Sequence, residues 1–402
     1  MIALAWRNLW RAPGRSLTTA GVVALATYVG LLTFVLTWAL INGIFQTATE
    51  RTGHLVVRVA GYEQAALEAR YFPQAVEARV RKRVKNAVVE GVLSHPALVA
   101  GGRRGLGAVV FGFEPGGRND RVLVQKHLVA GQGLRPGGAV MGRALARRAG
   151  LAPGDAAYLF APGALGMGSG LLPVLGLVDL PESRLEANFV ATDLATAQAL
   201  FAPGLLERVE VTLPWVRRYA EAERIRALQE ALAQALGSGY QVLRWDQAYR
   251  GMGTLLVAYR RWLYLFVLLF FVLAALMVLN AVYLSFYERI RELGVIAALG
   301  ATPAQLGRLV WTEATLLSAL GAAAGTLLGL ATAWRLARGF PMIAAEEYAQ
   351  FGIPKVLYGE LHAGDLGFTL LVAFLSSWLA ALLPAYLAMR LEPVEAMRHA
   401  GD

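Results

Sequence analysis

YERIRELGVIAALGATPAQLGR, Tyr287 to Arg308, carries Glu288, Arg289, Arg291, Glu292 and Arg308 together with a GATP turn. An apolar run lies on either side: VLLFFVLAALMVLNAVYLSF (267–286) before it and WTEATLLSALGAAAGTLLGL (311–330) after it. Inside a soluble fold this would be an odd loop, because ions and a turn separate two stretches that both need burial. With the flanks in a bilayer, the stretch becomes a short segment that meets water and any partner on that side.

Composition agrees with a bilayer. Of 402 residues, 56% are hydrophobic and 16% charged, against about 25% charged in soluble domains. Cysteine is absent, which removes a disulfide framework, thiolate metal ligation and a cysteine nucleophile. The net charge of +10 comes from arginine, since lysine occurs only at 82, 85, 126 and 355. Excess arginine suits an anionic membrane face, and no nucleic-acid motif or dense basic tail accompanies it.

Apolar runs of membrane length occupy residues 17–41, 262–286, 309–334 and 366–389. At ~1.5 Å per helical residue each crosses a hydrocarbon core of about 30 Å. Trp262, Tyr264, Tyr283, Tyr287, Trp311 and Trp334 fall near the span ends, where amphipathic rings favour the headgroups. Arg7, Arg11 and Arg15, then Arg289, Arg291 and Arg308, then Arg390 and Arg398 all reach the cytoplasm in one topology. That topology puts both termini inside, segment 287–308 and tail 390–402 in the cytoplasm, and 42–261 and the loop 335–365 outside. The expected fold is four transmembrane α-helices with a large α+β extracytoplasmic domain between the first and second. Residues 1–16 read either as an interfacial helix, with Ile2, Trp6, Leu9 and Trp10 toward lipid, or as a plain basic flank.

Within 42–261, HLVVRV, GAVVFGF, RVLVQ, AAYLF and VLGLVDL read as strands. AVEARVRKRVKNAVVEGVLSH reads as a helix with Val76, Val80, Val84, Val88 and Val92 on one stripe. VMGRALARRAGLAPGDAAYLF reads strand, short helix, PGD turn, strand, and the helix from Val216 closes at Gly237. Arg79, Arg81, Lys82, Arg83 and Lys85 form a solvated face or a contact for anionic headgroups or an acidic partner.

Catalytic constellations are missing. The histidines at 54, 95, 127, 362 and 399 are scattered without an HExxH pair, and Ser169 in GMGSG does not fit GxSxG. GQGLRPGG does not match the dinucleotide fingerprint, and no glycine loop leads into Lys-Ser/Thr, so ATP would have to be bound by another subunit. Glu313 is the most informative polar residue in a span, because an ionised carboxylate there costs about 2.5–3.5 kcal/mol. It reads as an interfacial anchor or as a contact to a neighbouring helix. Gly321, Gly325 and Gly329, spaced by four, suit close helix packing, with a pore or hinge as the other reading. Pro384 implies a kink near the end of the last span.

Four segments together resemble the FtsX/MacB-like permeases of ABC transporters. AWRNLWRAPGRSLTT resembles that family's basic lead-in to its first span, and Glu313 through Gly329 its glycine-rich third span. Arg291-Glu292-Leu293-Gly294 followed by Ala298-Leu299-Gly300-Ala301 and Gln305 is similar to its cytoplasmic REIG…RAxGA segment. Ala297 departs from it, where relatives often carry Arg. LLPAYLAMRLEPVEAMR resembles the family ending at Pro384, Ala385, Ala388, Arg390, Pro393, Ala396 and Arg398. VMGRALARRAGLAPGDAAYLF and FVATDLATAQALF are similar to its MacB-like periplasmic core domain.

The resemblance implies a non-catalytic inner-membrane permease subunit. It works with a second permease copy, identical or not, and with separate ABC ATPase subunits that hold ATP and Mg. Glu288, Arg291, Glu292, Gly294, Gly300, Ala301 and Gln305 then belong to an ATPase-coupling segment, and Glu313, Gly321, Gly325 and Gly329 to helix packing. Motion would pass through stalk extensions of the first two spans to the outer domain. Layout looks most like the LolC/LolE-type lipoprotein-releasing permeases. A MacB-like efflux permease and an FtsX-like regulator of an external cell-wall hydrolase are the alternatives. Ala161 to Val174, with Pro162, Gly166, Gly168 and Pro173, matches the loop that reaches a periplasmic carrier in those relatives, or is a flexible hairpin tip.

Overall fold

The computed structural model describes residues 6–7, 13–101, 105–164, 166–180, 183–216, 218–248, 252–342 and 356–391. Most of the expected interfacial helix lies outside these residues, as do much of loop 335–365 and nearly all of tail 390–402 with Pro393, Ala396 and Arg398. The chain divides into a helical unit (1–40, 256–340 and 357–402) and an α/β unit (41–255 and 341–356).

The helical unit draws on α1 (Pro13–Thr52), α2 (Met252–Glu288), α3 (Ile290–Ala298), α4 (Pro303–Leu336), α5 (Ala363–Ala380) and α6 (Leu382–Met389). Among the described residues, four stretches are long and apolar enough to cross a membrane: Ser16–Thr52, Arg261–Glu288, Pro303–Leu336 and Ala363–Met389. They coincide with the four apolar runs, because a segment in lipid must satisfy every backbone group internally and so stays helical. The helices outrun the runs, most of all α1, whose residues from Ile41 onward belong to the α/β unit.

Each of these helices buries one side and leaves another bare. On α2, Val267, Phe271, Ala274 and Val278 are buried, with Ala26 and Phe34 of α1 and Ala373 of α5 in the same clusters. Leu265, Phe266, Leu269, Leu273, Leu276 and Met277 of α2 stay exposed, a surface suited to acyl chains. The kink at Pro384 has its expected cause. Pro384 has no N–H for the carbonyl four residues back, and the helix breaks between Ala380 and Leu382.

In the α/β unit the strands are β1 (Leu55–Val59), β2 (Phe72–Pro73), β3 (Val88–Ala100), β4 (Gly105–Phe113), β5 (Leu128–Gly131) and β6 (Ala139–Gly142). They continue as β7 (Ala156–Gly163), β8 (Gly166–Val178), β9 (Phe189–Asp193), β10 (Leu205–Leu206), β11 (Arg208–Thr212) and β12 (Tyr240–Arg244). One half is an antiparallel sheet in the order β12-β1-β11-β3. Helices Ala75–Arg83 and Ile225–Leu236 bury Val76, Val80, Ile225, Leu232 and Leu236.

The other half closes on itself. β3 pairs β4, β4 pairs β9, β9 pairs β6, β6 pairs β8, β8 pairs β7, and β7 returns to β3. A closed ring leaves no free edge among its members. Val99, Val110, Met141, Leu159, Val174 and Val190 fill it, with Ala108, Ala139, Ala157 and Ala161 supplying the small positions a tight barrel needs. The long strand β3 serves both halves: Val88–Val92 pair with β11, and Leu93–Ala100 with β4.

Three expected elements differ. The helix expected from Val216 is α-helical only over Ile225–Leu236, behind the 3-10 stretch Tyr219–Arg224. The valine-striped helix stops at Arg83, and Val88 and Val92 lie on β3 instead. Asn86 turns the chain there with φ 56°, a conformation asparagine tolerates better than most residues. RVLVQ is helical rather than a strand, inside Asp120–Val124 and its 3-10 continuation. Asp120 Oδ2 accepts from Gly116 N–H and Gln125 Nε2, both at 2.8 Å, and these local bonds close the turn against the alternating pattern.

Candidate functional site

The stretch between the second and third membrane helices is built from three local rules. First, α2 stops at Glu288 because Arg289 leaves helical geometry at φ −108° and ψ 11°, and α3 restarts at Ile290. Second, α3 ends in a Schellman motif: Gly300 N–H donates to Ala297 O at 2.9 Å and Ala301 N–H to Ile296 O at 3.2 Å. Gly300 takes φ +97°, which only glycine adopts without strain. Third, Thr302 starts α4 with a capping box. Its side chain accepts from Gln305 N–H, and the Gln305 side chain accepts from Thr302 N–H at 2.8 Å, with Pro303 in the first turn.

The short helix has two faces. Leu293 and Gly294 are buried in the helical unit, with Ile290, Ile296 and Ala297 partly so. Glu288, Arg291, Glu292, Val295, Ala298 and Leu299 face outward, and Leu299 is 83% exposed.

Arg289 ties this hairpin to α4. Its Nη1 donates to Glu313 Oε2 at 2.8 Å and its Nε to Glu292 Oε2 at 3.2 Å. Both ends of the first pair are largely buried, at 17% and 13% side-chain exposure. Glu313 on α4 thus contacts Arg289, the residue that joins α2 to α3. Beside the pair a cavity of ≈ 40 Å³ is lined by Ser16, Thr19, Ser285, Phe286, Arg289 and Glu313, enough for a water.

The glycine stripe faces α1. A Cβ on Gly321 would lie 2.4 Å from Ala20 O, on Gly325 2.3 Å from Ala24 O, and on Gly329 2.6 Å from Leu31 Cδ1. At all three positions α1 comes too close to admit a side chain. Sequence reasoning missed Gly307, where a Cβ would meet Met389 at 2.5 Å and Ala385 O at 3.0 Å. It stands apart from the four-residue stripe, so periodicity gave no hint of it.

Of the residues expected to couple, Glu288, Arg291, Glu292 and Gly300 lie on the exposed surface, and Ala301 is half-buried. Gly294 is buried and Gln305 is spent on the cap, so both shape the hairpin from within. Val295 and Leu299, spaced i, i+4, lie on the same exposed face.

The segment Ala161–Val174 is not a loose loop. It forms the β7–β8 hairpin, with Pro162 opposite Met167 and Ala156 opposite Pro173. Its glycines allow close approach: a Cβ on Gly163 would meet Phe201 O at 2.6 Å, and one on Gly170 would meet Leu200 Cδ2 at 2.6 Å. Gly168 is as tightly placed against Leu200 O. Ala164 N–H bonds Phe201 O at 2.7 Å, which straps the hairpin to helix Leu194–Phe201. Met167 and Leu171 remain outside at 70% and 65% exposure. No group of His, Asp and Glu suited to a metal ion occurs among the described residues.

Residues 264–393 match the family described as FtsX-like permease C-terminal. The chain is 26% identical over 269 residues to the uncharacterized ABC transporter permease protein Rv0987 of Mycobacterium tuberculosis, covering 66% of this chain and 30% of that one. It is 21% identical over 296 residues to the lipoprotein-releasing system transmembrane protein LolC of Xylella fastidiosa, covering 69% of each. The periplasmic region of MacB from Actinobacillus actinomycetemcomitans aligns with 52% of this chain and 97% of that one, at 12% identity and a TM-score of 0.37.

Proposed function

We propose that this chain, whose C-terminal helices are an FtsX-like permease domain and whose relatives are ABC transporter permeases, is the non-catalytic membrane subunit of such a transporter. It lies in the cytoplasmic membrane with both termini and the 287–308 hairpin inside and the α/β unit outside. A separate ABC ATPase, holding ATP and Mg, seats on the outward face of α3. A second permease copy completes the complex. Closure of the ATPase pushes on α3, and the α/β unit does work on a lipoprotein or another amphipathic substrate.

The observation that carries this reading is the two-faced helix α3. It buries Leu293 and Gly294, presents Arg291, Glu292, Val295 and Leu299, and is tied to α4 through Arg289 and Glu313. A surface fixed in this way passes on a push instead of yielding to it. The LolC relative supports lipoprotein release as the work done. The exposed Met167 and Leu171 on the β7–β8 hairpin favour docking of a periplasmic carrier or adaptor there.

The test is purification of the tagged chain from its own host, followed by mass spectrometry of what accompanies it. An ABC ATPase is expected, together with lipoproteins when the complex is trapped with vanadate. If lipoproteins are absent while small amphiphiles stimulate ATP hydrolysis, the lipoprotein assignment is wrong. Gly300→Pro and Glu292→Lys should leave ATP hydrolysis but stop transport. Normal ATP-dependent transport by both variants would remove α3 as the coupling element.

A further inference from the structure

The last turns of α1 are held inside the α/β unit by a buried ionic network that the reading above leaves unassigned. Carbonyls in the final turn of a helix have no partner within it and carry the negative end of its dipole. Here Glu50 O accepts from Nη2 of Arg118 at 2.6 Å, and Thr49 O, which also takes Gly53 N–H at 2.9 Å, accepts from the same nitrogen. Nη1 of the same guanidinium donates to Glu210 Oε2 at 3.3 Å and to Asn119 Oδ1 at 3.1 Å. Asn119 Nδ2 donates to Glu90 Oε2 at 3.0 Å and to Glu210 Oε2 at 3.1 Å. The other Glu210 oxygen accepts from Arg208 Nε at 2.7 Å. Arg118, Asn119, Glu90 and Glu210 are all less than a tenth exposed.

The network is rooted in the sheet. Glu90 on β3 and Glu210 on β11 are direct cross-strand partners, and β3 runs on into the closed barrel. Around the same helix end, Asn42 Oδ1 accepts from Tyr219 N–H at 2.9 Å. Phe45 sits among His54, Tyr219 and Trp245 with ring centroids 5.7, 6.3 and 5.2 Å away. Gly53, the first residue past the helix, takes φ +71° and turns the chain toward β1. Apolar packing would fill this space with less desolvation. A guanidinium fork adds direction, since its fixed donors set both where the helix end lies and which way it points.

We infer that Arg118 is a positioning residue for force transmission: it grips the C-terminal end of α1, so that displacement of this helix is delivered to β3 and β11 instead of being lost at the Gly53 turn. The inference rests on the chain being the moving permease of an ATPase, but the grip itself is measurable without one.

The first measurement is amide hydrogen exchange on the full-length protein in nanodiscs, followed by mass spectrometry. Arg118→Met should raise exchange over residues 42–52 by about tenfold or more, the scale of one charge-assisted hydrogen bond, and leave peptides of β6 and β9 unchanged. Unchanged exchange over 42–52 overturns the grip. If Arg118→Met loosens the whole unit, Arg118→Lys keeps the charge without the fork and carries the comparison. Its 42–52 peptides must then exchange faster than wild type for the grip to stand. The second measurement uses the complex with the co-purified ATPase, with ATP and vanadate. Wild-type β3 and β11 peptides should change their exchange on trapping, and the loosened variant should lose that response. A variant that keeps it overturns the transmitting role. Failure to recover any ATPase counts against the transporter reading and leaves the first measurement standing.

Discussion

At the scale of single residues, Arg289 and Glu313 hold each other in a place where neither is comfortable alone. Glu313→Gln leaves a largely buried guanidinium facing a neutral amide, and should cost about 1–3 kcal/mol of stability. Arg289→Met with Glu313→Met removes both charges and should cost less than either single change, because the desolvation of two ions disappears with their attraction. Thermal unfolding of the purified chain in one detergent checks this cycle; an additive double variant would mean that the pair is not coupled. His54 gives a pH prediction. Nδ1 accepts from Leu213 N–H at 3.0 Å and Nε2–H donates to Val216 O at 3.0 Å, so the neutral ring is satisfied. Burial, above all, lowers its pKa from 6.5 to about 4. Between these values the unfolded chain binds a proton that the folded one refuses. Stability is therefore intact above about 6.5 and falls as pH drops toward 4, by about 3 kcal/mol for a shift of this size. His54→Asn should flatten the melting-temperature profile across that window, and an unchanged slope would assign the loss to other groups.

At the scale of elements, glycine does two different jobs, and the two should fail differently. Gly325 has a backbone carbonyl of α1 2.3 Å from where its Cβ would be. Gly325→Val therefore has to push two helices apart, and should lower the yield of folded protein severely. Gly300 has open space around it but a φ of +97°. Gly300→Ala should cost only about 1 kcal/mol, through backbone strain. Equal damage from both, measured as recovered monodisperse protein and melting temperature, would contradict this division. The stripe at 321, 325 and 329 was legible in sequence because helix periodicity marks a face. Which helix it faces was not, since that depends on the tertiary match to Ala20, Ala24 and Leu31. The valine stripe from Val76 misled for a related reason. Spacing by four fits a helix, yet the β-branched run Val88–Val92 gains more from the ladder with β11, once Asn86 has turned the chain.

At the scale of the molecule, the membrane part was readable because lipid tolerates only long uncharged helices, so Leu, Val and Ala in runs leave few options. The barrel was not, because its closure joins β3 to β7 across distant sequence. The hairpin of residues 287–308 falls between these cases. Its ions and its turn were visible, but its outward apolar pair, Val295 and Leu299, needed the fold to separate them from the buried Leu293. That pair sets the last prediction. Leu299 at 83% exposure contributes almost nothing to the folding of this chain. In a groove of a partner ATPase, burying it would be worth about 1.5–3 kcal/mol. Leu299→Asp should therefore leave the melting temperature of the purified chain unchanged while the amount of co-purifying ATPase falls by about tenfold or more. Leu269→Asp, on the bare face of α2, supplies the contrast: it should impair membrane insertion while any inserted protein keeps its ATPase. If Leu299→Asp retains wild-type ATPase, the partner does not seat on this face of α3.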